Sequence, residues 1–136
     1  MLELNMFGDG AVFDHVGLAV RSIEATLDGN DEATIFDDNI QKVSVAFIRM
    51  NGIKVELIEP LGEKTPVALS LKKGQQLVHL CFRVPDIEAA IEKGREHGFH
   101  CIARPVPAVA FGCRRIAWLF SRVYGLVEIV EMERHG

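Results

Sequence analysis

Basic excess is missing from this sequence: 15 Lys and Arg stand against 19 Asp and Glu, a formal net charge of −4 over 136 residues. A nucleic-acid footprint needs clustered cations facing a phosphate track. The pairs Lys72-Lys73 and Arg114-Arg115 are too short for one and read as solvated faces, so no nucleic-acid partner is expected. No apolar run approaches the ~20 residues that span a bilayer, and no membrane partner is expected either. The opening MLELNMFGDG has no basic stretch followed by an apolar one, so no secretory signal is read there. Cysteine is sparse. Cys81, Cys101 and Cys113 are odd in number and lack CxxC spacing, which makes them reduced thiols of a cytoplasmic protein, at least two of them small core fillers. What remains is an ordinary balance, 49% hydrophobic and 25% charged, in a chain long enough for one domain with a core and short for two independent ones.

Within that balance the chain repeats itself. HVGLAVRSIEATL from His15 and HLCFRVPDIEAAI from His79 lie 64 residues apart and agree at six of thirteen positions, counting an Ile/Leu exchange. VELIE from Val55 matches VEIVE from Val127, and upstream VAFI from Val45 matches IAWL from Ile116. Three matches in the same order are evidence for two copies of one supersecondary unit.

Each copy reads β, α, then two or three β. Runs rich in Val, Ile and Phe predict strands at about 12–20, 43–50, 53–59, 76–84, 115–121 and 125–132. Asn51-Gly52 supplies a hairpin turn. Ser22 and Asp86 are suited to cap helices. The helix after Asp86 carries Ile87, Ala90, Ile91 and Gly94 on one face and stops at Gly98. The helix after Ser22 is clipped by Gly29 and Asn30, and Thr65-Pro66 opens a further helical turn. Arg104 to Arg114, with Pro105, Pro107 and Gly112, reads as a long loop, a frequent place for function.

Strand alternation sorts the polar residues. His15 shares a face with Phe13, Gly17 and Ala19. His79 shares one with Leu77, Cys81 and Arg83, while Val78, Leu80, Phe82 and Val84 are suited to lie under a helix. Glu56 sits between Val55 and Leu57, and Glu128 between Val127 and Ile129. A carboxylate in such a place is costly to bury without a partner. Glu59 and Glu131 take the opposite parity near strand ends and read as solvated caps. Any one of these histidines or glutamates alone would be an ordinary hydrogen-bonded or ion-paired residue. Recurrence in both copies shifts the weight, because a pseudo-twofold between the copies would bring two imidazoles and two carboxylates together. Such a set suits Zn, Ni, Co, Fe(II) or Mn with water completing the shell.

The stretches DHVGLAV, VAFIRMNGIKVELIEPLGEKTPVALSLKKG, LVHLCFRVPDIEAAIEKGREHGF and GLVEIVE cover about residues 12–132. They resemble the vicinal oxygen chelate superfamily, also called the glyoxalase/bleomycin resistance/dioxygenase group, and within it the methylmalonyl-CoA epimerase-like and glyoxalase-like proteins. The resemblance implies an α+β fold, two βαβββ modules forming an open cupped sheet around a divalent metal. It implies a single domain over 1–136, with module one at about 11–60, a linker helix at about 65–74 and module two at about 76–132. It makes His15, Glu56, His79 and Glu128 the metal set, the same four the repeat selects. One departure bears on mechanism: Val45 stands where some epimerases carry a second catalytic carboxylate.

The expected chemistry is that of an isomerase or epimerase, or a lyase, removing a proton next to a metal-bound carbonyl, with an acyl-CoA such as methylmalonyl-CoA as the small-molecule substrate. Glu128 is the first choice of base and Glu56 the second. Phe47, Trp118 and Phe120 share the parity of a substrate pocket. Arg83 and Arg114 are candidates for a substrate carboxylate or phosphate, and the 105–115 segment for a cover over the site. A lactoylglutathione lyase of the glyoxalase I type and a metal-free small-molecule or drug-binding protein are the alternatives. A homodimer is expected.

Overall fold

The first copy of the repeat folds as β1 (Val12–Ala19), α1 (Ile23–Leu27), β2 (Phe36–Asp38), β3 (Val43–Met50) and β4 (Ile53–Pro60). Helix α2 (Pro66–Lys72) leads to the second copy, β5 (Leu77–Val84), α3 (Ile87–Glu96), β6 (His100–Pro107), β7 (Arg115–Ser121) and β8 (Gly125–Glu131). The structure is a computed structural model, and the described residues are 1–133, so that 134–136 of the expected domain lie outside them. Both βαβββ modules of the expected α+β fold are present.

Contacts group the chain into two units, His15–His79 and Met1–Asp14 with the chain from Leu80 onward. In the His15–His79 unit β1 runs parallel to β4, with Val16 opposite Val55, while β3 is antiparallel to both β4 and β2. In the other unit β5 runs parallel to β8, with Leu80 opposite Val127, while β7 is antiparallel to both β8 and β6. The two strand orders, β2-β3-β4-β1 and β6-β7-β8-β5, correspond strand for strand.

Side-chain alternation sends one face of each module to its helix. Ile23 of α1 packs with Val20, Ala46, Val55 and Leu57. Ile87 and Ala90 of α3 pack with Val84, Phe99, Leu119, Val127 and Ile129. Each such aliphatic side chain is worth roughly 1.5–3 kcal/mol when fully buried. The caps are as the residues suggest: Ser22, Thr65 and Asp86 accept from the backbone N–H of Ala25, Ala68 and Ala89. Gly98, at φ 88°, closes α3 by donating to Arg95 O while Phe99 N–H donates to Gly94 O, the six-to-one pattern of a glycine-terminated helix.

Several expectations change. The segment expected as a loop from Arg104 is strand β6 as far as Pro107, followed by a 3-10 turn over Val109–Phe111. Proline in a strand is tolerated where the missing N–H faces no partner, and β6 lies at the end of the strand order. Its pairing with β7 slips between Cys101 and Ala103 and again between Ala103 and Val106, so Pro105 falls within a break in register. The turn after it is pinned, because Phe111 is buried and Arg114 Nε donates to Phe111 O. Glu131 is not a solvated cap but is buried and ion-paired with Arg115. Glu59 is a cap of another kind, accepting from Ile23 N–H at the start of α1. Of the three free cysteines only Cys81 is buried. Leu80 is half-exposed rather than under α3 and faces a groove of about 330 Å³ with Phe13, Phe82 and the N-terminal Leu4 and Phe7.

Candidate metal centre

His15 of β1, Glu56 of β4 and His79 of β5 come together within the His15–His79 unit. Parallel pairing of β1 with β4 places Glu56 opposite Gly17, two residues beyond His15 and on the same face. His15 Nε2 and His79 Nε2 are each 3.4 Å from Glu56 Oε1 and 3.4 Å from one another. All three residues are buried, His15 completely. The His15 ring is further held edge-on by Phe47, at 5.3 Å between centroids and 76°.

Two readings fit a buried His–His–Glu triangle. One is a hydrogen-bonded polar cluster, in which a proton is shared among three groups. The other is a divalent cation. The geometry suits the cation: both imidazoles aim the same nitrogen, Nε2, at one carboxylate oxygen, and three atoms 3.4 Å apart leave room for an ion at about 2.0–2.1 Å from each. Two nitrogens with carboxylate oxygen form a borderline-to-hard set that favours Zn, Ni, Co, Fe(II) or Mn over Ca or Cu(I).

Glu128 lies in the other unit and occupies the place there that Glu56 occupies in the first. It is buried on β8, opposite Cys81 of β5, which is two residues beyond His79. Across the neighbouring ladder Trp118 faces Glu128 as Phe47 faces Glu56. Phe47 and Trp118 are half-buried, while Phe120 is exposed opposite Leu126. Arg83 Nε lies 2.9 Å from Asp14 Oδ1. Arg114 bonds Phe111 O through Nε and Glu131 O through NH1, contacts within its own fold. Val45 is buried, opposite Phe36 and Ile58.

Two features escaped the sequence reading. Lys54, two residues before Glu56 on the same face, sets Nζ 4.7 Å from the Phe47 ring centroid, a cation beside the triangle that its parity with Glu56 could have signalled. Arg115 reaches Glu88 on α3 and Glu131 on β8 together, at 2.7 and 2.8 Å. Glu131 first, then Glu88, push its guanidinium above its ordinary value, and the same contact holds the Glu88 carboxyl below 4.5. Nothing in the spacing of residues 88, 115 and 131 announces this bridge.

A family model described as the Glyoxalase/Bleomycin resistance protein/Dioxygenase superfamily matches residues 14–118. An ethylmalonyl-CoA/methylmalonyl-CoA epimerase of Cereibacter sphaeroides is 30% identical over 130 residues, covering 88% of this chain and 96% of that protein. The uncharacterized protein YqjC of Bacillus subtilis is 41% identical over 134 residues, covering 87% of this chain and 90% of its own. Among solved structures, a variant methylmalonyl-CoA epimerase of Streptomyces coelicolor in complex with 2-nitronate-propionyl-CoA aligns with a TM-score of 0.72 at 23% identity, over 88% of this chain and 93% of that one.

Proposed function

Because the chain belongs to the Glyoxalase/Bleomycin resistance protein/Dioxygenase superfamily, we propose that it is a divalent-metal-dependent epimerase of an acyl-CoA, of the methylmalonyl or ethylmalonyl class. The observation that carries this reading is the buried triangle of His15 Nε2, His79 Nε2 and Glu56 Oε1. It is supported by relatives named as epimerases of such thioesters and by a related fold holding an acyl-CoA analogue.

In this reading His15, His79, Glu56 and Glu128 would hold the ion, Glu128 by its equivalence to Glu56 in strand register. A divalent ion supplies fixed positive charge at the thioester carbonyl, which makes the proton on the adjacent carbon easier to remove. Glu128, or Glu56 in its place, takes that proton on a carboxylate oxygen, and delivery of a different proton to the opposite face of the carbon inverts the centre, one proton released for one taken up. Phe47, edge-on to the His15 ring, keeps water from the triangle, and Lys54 offers a cation to a substrate carboxylate. Since Val45 has no ionisable proton to give, the acid on the far face is water or a side chain other than the one some epimerases use. The homodimer expected of the chain is tested by sedimentation at micromolar concentration, and its cytoplasmic place by fractionation. No helix among the described residues is long and apolar enough to cross a membrane.

The test has two steps. Protein purified without a metal-affinity tag is assayed for bound metal, then incubated in deuterium oxide with single epimers of methylmalonyl- and ethylmalonyl-CoA. One equivalent of metal, with deuterium entering as the centre inverts, is expected. Failure to bind Zn, Ni, Co or Mn would point to the metal-free binding protein, and metal without exchange in any acyl-CoA, but with turnover of a glutathione hemithioacetal, to the glyoxalase type.

A further inference from the structure

Gly17 stands in the interior of β1, where glycine is unfavourable because it has more backbone freedom to lose and no side chain to pack. Backbone conformation does not demand it, since its φ is not positive. Space does. A Cβ built on Gly17 would lie 2.1 Å from Cε1, 2.3 Å from Nδ1 and 2.7 Å from Nε2 of His79. All three are well inside the closest approach of carbon to any heavy atom, and the obstacle is a rigid ring rather than the end of a flexible chain.

The His79 imidazole therefore lies on bare backbone, in the volume a side chain at position 17 would fill. That notch has His15 on one side, two residues earlier on the same face, and Glu56 across the ladder. It is the place from which His79 Nε2 reaches both His15 Nε2 and Glu56 Oε1 at 3.4 Å. The repeat itself does not require glycine there, because the equivalent residue of the second copy, opposite Glu128, is the buried Cys81. We infer that Gly17 is a positioning residue, whose missing side chain admits the His79 ring to the His15–Glu56 pair. As a statement about metal affinity this rests on the proposed function, and as a statement about ring placement it stands without it.

The experiment is a double-mutant cycle read two ways, with Gly17→Ala, His79→Ala and the double variant of the full chain. In metal-free protein Gly17→Ala is expected to lower the melting temperature by about 5 °C or more, and to have no destabilising effect when His79 is already Ala. A loss that is the same in both backgrounds overturns the inference. If Gly17→Ala does not fold alone, a folded double variant supports it and an unfolded one overturns it. For Co(II), followed by calorimetry and by its visible absorption, Gly17→Ala is expected to weaken binding by about tenfold or more, and a smaller loss overturns the role in metal affinity. A wild-type chain that takes up no divalent metal sinks the proposed function instead, and the melting cycle still decides where the ring lies.

Discussion

Glu128→Gln keeps the side chain's volume and one coordinating oxygen while removing its capacity to take a proton. If Glu128 is the base, this change lowers the rate of solvent deuterium exchange by about 100-fold or more with metal still bound, which elemental analysis of the same sample checks. Glu56→Gln, in the triangle itself, is expected to weaken metal binding more than it slows exchange per bound metal. The triangle of His15, Glu56 and His79 was legible because two independent signals agree on its members: strand parity puts each on a defined face, and the repeat gives each a counterpart. Gly17 was not legible. Its meaning is the absence of a side chain opposite a residue 62 positions away (79 less 17), and only the tertiary contact reveals it. Lys54 was visible as a neighbour of Glu56 in parity, but nothing in one sequence says that Phe47 lies beneath its ammonium group.

Elements were read well where local chemistry decides them and poorly where tertiary placement does. Helix α3 was clear from its cap, its periodic apolar face and its terminal glycine, and Asp86→Ala is expected to cost about 1 kcal/mol, measurable as a shift in the urea midpoint at constant slope. Strand β6 was hidden by Pro105 and Pro107, which would forbid an interior strand but not one at the end of a sheet. The three-residue β2 is too short for any alternation to show. The clasp between α3 and β7 is a different case, with a pH signature. The Arg115 hydrogen bonds hold the Glu88 carboxyl below its ordinary 4.5, so its contribution to stability is present above that value and fades as pH falls through the lowered one. Arg115 is pushed up and stays charged throughout. Glu88→Gln should therefore melt below wild type at pH 7, with the gap closing as acid carries the pH well below 4.5. A gap independent of pH would separate Glu88 from this role.

For the whole molecule, the repeat carried the fold: two copies in the same order led to two βαβββ modules, and the observed strand orders match one another. A bound metal would report on all of it at once. Ligand that binds only the folded chain stabilises it by about 2.7 kcal/mol at a hundredfold excess over Kd, so adding Zn or Co to chelator-treated protein should raise the melting temperature by several degrees, and His79→Ala should abolish that rise. An unchanged melting temperature would argue against a metal tied to folding. Last, β6 matters for how chains meet in solution. An outer strand offers a row of unsatisfied amides to any neighbouring chain, the usual beginning of edge-to-edge aggregation. Here two prolines delete donors from that row, two slips in register bend it, and Arg104 sets an exposed charge beside them. The residues that disguised β6 as a loop thus act as its guard, and replacing both prolines with threonine should make the protein cloud at concentrations the native chain tolerates.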